Sequence, residues 1–271
     1  MTRRLGVVAV VVPVALSGVL VAGCASSGTA RSPLQIVAGA AAKTSATNAR
    51  VALTGSVSAA GQSLPIHGQG GFDFAQHRGT ISLTAAGGTA LESRIIGRTI
   101  YEKLSPQLVS RTRGKQWLKI DLGQGSAAGA QLGSLSRSAD PTQVLSYLRG
   151  VGEPVSAVGT ETVRGAKTTH YRGQVDLGRA AQQGAVDQPT VAGFTRQFGS
   201  SRFPVDVWVD GQGRAGRTSY MLKPVSGAGS FTFTQEMYDF GGAGVKALPA
   251  PPADQVLDIN QLATAAGTPS G

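Results

Sequence analysis

One cysteine and three histidines are the side chains of this sequence that could most readily act as a nucleophile, a general base or a metal ligand. A single thiol excludes an internal disulfide and any zinc cluster built from cysteines, because these need two to four thiolates. The histidines are His67, His77 and His170, and no serine stands in a Gly-x-Ser-x-Gly or Ser-x-x-Lys pattern. The sequence therefore predicts no catalytic residue, no metal site and no cofactor, and we expect that the protein is not an enzyme.

His170 illustrates why the histidines are not predicted to do chemistry. It lies in a predicted strand, Thr168 to Leu177, in which polar and apolar residues alternate. Because successive side chains of a strand point to opposite faces, His170 shares its face with Arg172 and lies opposite Tyr171. We therefore expect His170 to meet solvent.

The only cysteine follows a segment typical of an export signal. Two early arginines precede an apolar run of about 17 residues, Leu5 to Val21, which is at the lower limit for a membrane-spanning helix. The run ends in small residues directly before Cys24, and the four residues from Val21 to Cys24 resemble the lipobox of bacterial lipoproteins. An ordinary signal peptide with an incidental cysteine and a plain transmembrane anchor are the alternatives.

The lipobox resemblance implies a specific modification. In such signals the thiol, here that of Cys24, carries a diacylglyceryl group, and the chain is cleaved after Gly23. Residues 1–23 would then be a lipoprotein signal peptide, and residues 24–32, rich in small residues, a flexible tether. Two acyl chains hold a protein stably at a bilayer. The membrane is therefore an expected partner, and the outer face of the cytoplasmic membrane the expected location.

The charge of the protein is strongly positive. The formal net charge is +10, and removal of residues 1–23 takes away two arginines and no acid, which leaves +8. For an exported protein, this charge favours an anionic membrane surface or cell-wall polymer as partner rather than nucleic acid. Scattered surface charges without a specific partner explain the excess equally well.

Three segments have the start signals of helices. Ser32, Pro33 and Gln35 form a capping box with proline at the first helical position, and Asp140 to Gln143 repeats the arrangement before a helix that stops at Gly150. A third, weaker helix after Pro189 ends at Gly199, and a short helical turn is predicted around Asp254 to Leu262.

The rest of the sequence alternates with the period of half-buried strands. About ten strands are predicted, which is more than an open sheet carries without curling. The predicted fold class is α+β, a curved antiparallel β half-barrel wrapped over two or three short helices. No composition break divides residues 33–258, so these are predicted to form a single domain and to be monomeric, and residues 259–271 are predicted to be a disordered tail.

Several motifs resemble those of one family. They are the run from Gly159 to Tyr171, the run from Pro204 to Arg214, and Tyr238 to Gly241 followed by Pro251 and Pro252. Together with the lipobox, these motifs resemble the actinobacterial lipoproteins of the LppX/LprG group. That resemblance implies a LolA-like fold, with an antiparallel half-barrel over helices and an apolar cavity that holds acyl chains of a lipid or glycolipid.

Strand parity predicts which residues would line such a cavity, by selecting the inward-facing positions. A concave apolar surface that the helices do not fill binds lipid by removing apolar area from water. A surface lipoprotein that acts as envelope sensor or scaffold through protein contacts is the alternative function, and a filled core is the alternative at each position. The predicted residues are Leu53, Phe72, Phe74, Leu83, Leu118, Ile120, Tyr171, Val205, Val207, Phe231 and Phe233.

Overall fold

The computed structural model describes residues 31–59, 61–85, 88, 90–122, 140–227, 229–243, 245 and 248–259. The predicted signal peptide, Cys24, the tether before Arg31 and the tail from residue 260 onward lie outside these residues. Within the described ranges, no helix combines the length and the apolar composition that crossing a bilayer requires.

Twelve strands form one open, curved sheet. Its order is β12-β6-β5-β4-β3-β2-β1-β11-β10-β9-β8-β7, antiparallel throughout except for the parallel pair of β12 and β6 at one edge. The strands are β1 (Asn48–Ala59), β2 (Gln62–Asp73), β3 (Arg78–Ala85), β4 (Ala90–Ile96), β5 (Thr99–Lys103), β6 (Trp117–Asp121), β7 (Val151–Val163), β8 (Ala166–Asp176), β9 (Arg202–Asp210), β10 (Ala215–Leu222), β11 (Ser230–Tyr238) and β12 (Val256–Asp258).

Five α-helices accompany the sheet in the described residues. They are α1 (Pro33–Ser45), α2 (Pro106–Arg111), α3 (Pro141–Leu148), α4 (Leu177–Gln182) and α5 (Gln188–Phe198). The predicted caps are present: Ser32 and Gln35 form the capping box of α1, and the Asp140 carboxylate accepts from the Thr142 backbone N–H at 2.8 Å. Gly199 ends α5 with a φ of 75°, the left-handed conformation that glycine adopts without strain.

The predicted α+β half-barrel is confirmed, but the sheet has twelve strands rather than ten, and the described residues contain five helices rather than two or three. The missed helices, α2 and α4, have six residues each, too few to show a helical period. The helical turn expected from Asp254 to Leu262 is wrong over Val256–Asp258, which form β12, and its residues from 260 onward lie outside the described residues. A 3-10 turn covers only Ala253–Gln255, and β12 follows it because the next residues pair with β6.

Helices α1 and α3 pack on one face of the sheet, here called the inner face. Two buried hydrogen bonds hold them there: the Ala215 backbone N–H donates to the Thr44 hydroxyl at 2.9 Å, and the Gln235 side-chain amide donates to the Pro141 carbonyl at 3.0 Å. Because unpaired buried polar groups are costly, these bonds define the position of each helix on β10 and β11.

Candidate functional site

All eleven residues predicted to line a cavity belong to the hydrophobic core or pack against it. Eight are buried: Leu53, Phe72, Phe74, Ile120, Tyr171, Val205, Val207 and Phe233. The other three, Leu83, Leu118 and Phe231, are half-buried. A buried core position needs no ligand to cover it, and the lining role of all eleven stays a prediction.

A row of aromatic side chains runs from helix α5 across the inner face. The Phe194 ring lies 5.2 Å from the Phe203 ring on β9, which lies 5.4 Å from Tyr220 on β10. The row continues to Phe233 and Phe231 on β11, with centroid distances of 5.3 and 6.2 Å. Burial, with a smaller contribution from Tyr147, raises the pKa of Tyr220, so its hydroxyl stays neutral.

Beyond this row the inner face opens to solvent. Phe231 lies opposite Val57, Val57 opposite Leu64, and Leu83 opposite Leu91 in the strand register, so these side chains share one face. Val57 is 38% exposed, Leu64 52% and Leu91 37%. We call the six residues of this surface the apolar strip: Val57, Leu64, Ile66, Leu83, Leu91 and Phe231.

Gly68 in β2 lies at the boundary between the apolar strip and the filled core. A Cβ on Gly68 would lie 2.6 Å from the Leu83 Cδ2 atom and 3.1 Å from the Leu53 Cβ atom. Gly68 therefore lets side chains of β1 and β3 meet across β2. The inner face is close-packed at this level, whereas Val57 and Leu64, nearer the end of their hairpin, are exposed.

The opposite, outer face of the sheet carries a polar and aromatic cluster that strand parity did not predict. His170 is on the predicted face, but the expectation that it meets solvent is wrong, because it is buried against Trp208 with ring centroids 4.1 Å apart. Its Nε2 atom lies 2.7 Å from the Asp206 carboxylate and its Nδ1 atom 3.1 Å from that of Glu161. Trp208, on the neighbouring strand β9, thus covers His170, which strand alternation alone places on the solvent side.

Glu236 forms ion pairs with two arginines on the outer face. Arg217 on β10 donates to its carboxylate at 2.6 and 2.9 Å, and Arg164, at the turn between β7 and β8, donates at 2.6 Å. Burial alone would raise the pKa of Glu236, but the hydrogen bonds from the two guanidinium groups outweigh it and hold the pKa below its usual range. The carboxylate thus ties the β7–β8 hairpin to β11.

Replacing Glu236 with glutamine should destabilise the protein in a pH-dependent way. We expect the free energy of unfolding to fall by about 1–3 kcal/mol at neutral pH, because charge-assisted hydrogen bonds are lost. A carboxylate with a depressed folded-state pKa stabilises above its unfolded-state pKa, and this contribution disappears as the pH falls through the folded-state value. The difference between wild type and variant should therefore shrink at acidic pH.

Urea denaturation at neutral and acidic pH checks this expectation. Glu92→Gln is the matched control, because Glu92 pairs with Lys103 at 3.3 Å in a more exposed position and should contribute less than about 1 kcal/mol. An effect of Glu236→Gln that is equal at both pH values would contradict the electrostatic role of Glu236.

Among the described residues, no group of three His, Cys, Asp or Glu side chains is arranged to hold a metal ion.

Comparison with known sequences finds relatives in Streptomyces. No protein-family model matches the chain. It is 29% identical over 210 residues to SCO4650 of Streptomyces coelicolor, designated a candidate lipoprotein, and the match covers 70% of this chain and 62% of SCO4650. The chain thus spans less than two thirds of the length of that relative.

Two solved structures of mycobacterial proteins, one of them the lipoprotein LppX, are similar to this one. LppX of Mycobacterium tuberculosis has 19% identity and a TM-score of 0.46, with 80% of this chain and 98% of LppX covered. LprF of Mycobacterium bovis has 14% identity and a TM-score of 0.45, with 80% and 96% covered. LppX is also one of the two proteins that name the group whose motifs this sequence resembles.

Proposed function

We propose that this protein is an exported lipoprotein, anchored through a diacylglyceryl group on Cys24 to the outer face of the cytoplasmic membrane, that binds acyl chains of a lipid or glycolipid on its inner face. The observation that carries the lipid-binding part is the apolar strip, where three large apolar side chains on one face are more than a third exposed. Contiguous exposed apolar surface marks an interaction site. The designation of SCO4650 supports the anchor.

The contact region for acyl chains is proposed at the apolar strip rather than deep in the core. An acyl chain there would gain about 25 cal/mol for each Å² of apolar surface removed from water. Leu83 and Phe231, two of the residues predicted from parity, belong to the strip, and Phe231 connects the aromatic row to Val57. The eight buried positions would then support the strip from below.

Leu64→Glu tests the proposal directly. A carboxylate beside an acyl chain loses apolar contact and must be desolvated, so we expect the affinity for a dansyl-labelled fatty acid to fall by about tenfold or more. Met221→Glu is the matched control, because Met221 is 51% exposed against 52% for Leu64 but lies on the outer face. Titration of residues 25–271 of each variant, followed by dansyl fluorescence, measures the difference.

The two variants should have similar stability, since both side chains are half in solvent. Equal affinities of Leu64→Glu, Met221→Glu and wild type for the probe would contradict lipid binding at the strip. Native mass spectrometry of the protein purified from its own host provides the independent check, because a carrier should retain lipid.

The alternative function is a membrane-anchored sensor or scaffold that acts through protein contacts. One observation favours it: most residues predicted to line a cavity are buried core positions. In that case the apolar strip would pack against a protein, and neither the dansyl probe nor a co-purified lipid would be bound.

A further inference from the structure

A groove separate from the apolar strip runs along helix α1. It has a volume of about 420 Å³ and lies between α1, strands β8 and β9, and the turn from Asp210 to Gly213. Ile36, Tyr171 and Val209 give it apolar walls. Gly39 keeps its middle open, because a Cβ there would have no atom within 4 Å.

Both ends of the groove carry a cation. Arg31 lies just before the first turn of α1 and Lys43 lies in its last turn, and both line the groove. Both are exposed. The Lys43 ammonium group donates to the Gln212 carbonyl at 2.7 Å, which holds it at the rim.

The groove has little negative charge to neutralise these cations. Asp210 is the one acidic residue that lines it, and the Arg214 guanidinium already pairs with the Asp210 carboxylate at 2.7 Å. The groove therefore combines an apolar wall with a cation near each end of α1. Its chemistry suits a molecule with an anionic group and an apolar body.

The short distance along the chain from Cys24 to the groove indicates which molecule with an anionic group and an apolar body lies near it. Arg31 follows the predicted lipid attachment site, Cys24, by seven residues. Even fully extended, seven residues span no more than about 25 Å. If Cys24 is acylated, the Arg31 end of the groove therefore stays within about 25 Å of the bilayer surface.

We propose that this groove docks the domain on anionic phospholipid headgroups of the membrane that holds its anchor. Arg31 and Lys43 bind the phosphate groups, and the apolar wall at Ile36 faces the acyl chains below them. The proposal rests on the anchor of the proposed function and is independent of lipid binding at the apolar strip. Each cation near an anionic surface should raise the docked-to-undocked ratio about fivefold.

The test uses the acylated protein in vesicles. Because the only natural cysteine would carry the anchor, Gln212→Cys introduces a single free thiol at the rim of the groove, where a fluorophore can be attached. Quenching by a nitroxide-headgroup lipid then reports proximity to the bilayer. Met221→Cys, on the outer face, is the control label position.

We expect stronger quenching at position 212 in vesicles that contain phosphatidylglycerol than in pure phosphatidylcholine, and no such difference at position 221. Arg31→Gln and Lys43→Gln should each reduce the docked-to-undocked ratio about fivefold, and the double variant about 25-fold. Lys223→Gln should leave the docked-to-undocked ratio unchanged. Lys223 is exposed and lies just beyond Leu222, the end of β10 that is farther from the turn at Asp210 to Gly213.

Two results would overturn the proposal, and they are distinguishable. If mass spectrometry shows acylated Cys24 but quenching at position 212 is equal in both vesicles, or survives the double variant, the docking groove is wrong and the anchor stands. If Cys24 carries no lipid, both the anchor and the docking groove fail.

Discussion

Cys24→Ala should release the protein from the membrane, or leave it as an uncleaved precursor. Without the thiol no diacylglyceryl group can be attached, and no described helix is able to span the bilayer in its place. Two acyl chains make attachment stable, so the change in membrane-bound mature protein should be close to complete. Cell fractionation with immunoblotting and intact-mass measurement checks both the location and the processing.

Ser26→Ala provides the matched control for this experiment. It alters a small residue two positions later in the predicted tether and leaves the thiol in place, so it should be processed and bound like the wild type. Cys24→Ala protein that remains processed and membrane-bound would show that the lipobox interpretation is wrong.

Val207→Trp should destabilise the domain by about 1–3 kcal/mol or more, because it overpacks a filled core. Val207 is 1% exposed and lies between Tyr171 on β8 and Thr218 on β10 in the strand register, both of which are buried. A tryptophan there has no solvent into which it can extend. Urea denaturation measures the loss as a lower transition midpoint.

Val57→Trp is the matched control, with the same substitution on the same inner face. Since Val57 is 38% exposed at the apolar strip, the larger ring should be accommodated with little change in stability. It should instead alter the affinity for the dansyl-labelled fatty acid. A Val207→Trp variant as stable as the wild type would mean that the core has space at Val207, and the acyl chains would then be assigned to a deeper cavity.

Local signals in the sequence were sufficient for the parts of the structure that depend on neighbouring residues. The capping box at Ser32, the cap at Asp140 and the left-handed Gly199 could be predicted because each acts within a few residues of its own helix. Alternation likewise predicted the curved antiparallel sheet and the inward face of the strands, since side-chain direction follows from strand geometry alone.

Strand count and edge pairing needed the tertiary structure. β12 has three residues and is a strand only because it pairs in parallel with β6, which lies more than a hundred residues earlier in the chain. No local pattern specifies such a pair. The six-residue helices α2 and α4 are likewise too short for a period to be visible.

Whether an inward residue is covered or open was decided only by tertiary packing. Parity assigns Val207 and Val57 to the same face, yet one is buried beneath helices and the other is exposed beyond them. Parity also places His170 outside, although Trp208 and two carboxylates enclose it. The physical reason is that side-chain direction is a property of one strand, whereas burial depends on which distant elements pack over it.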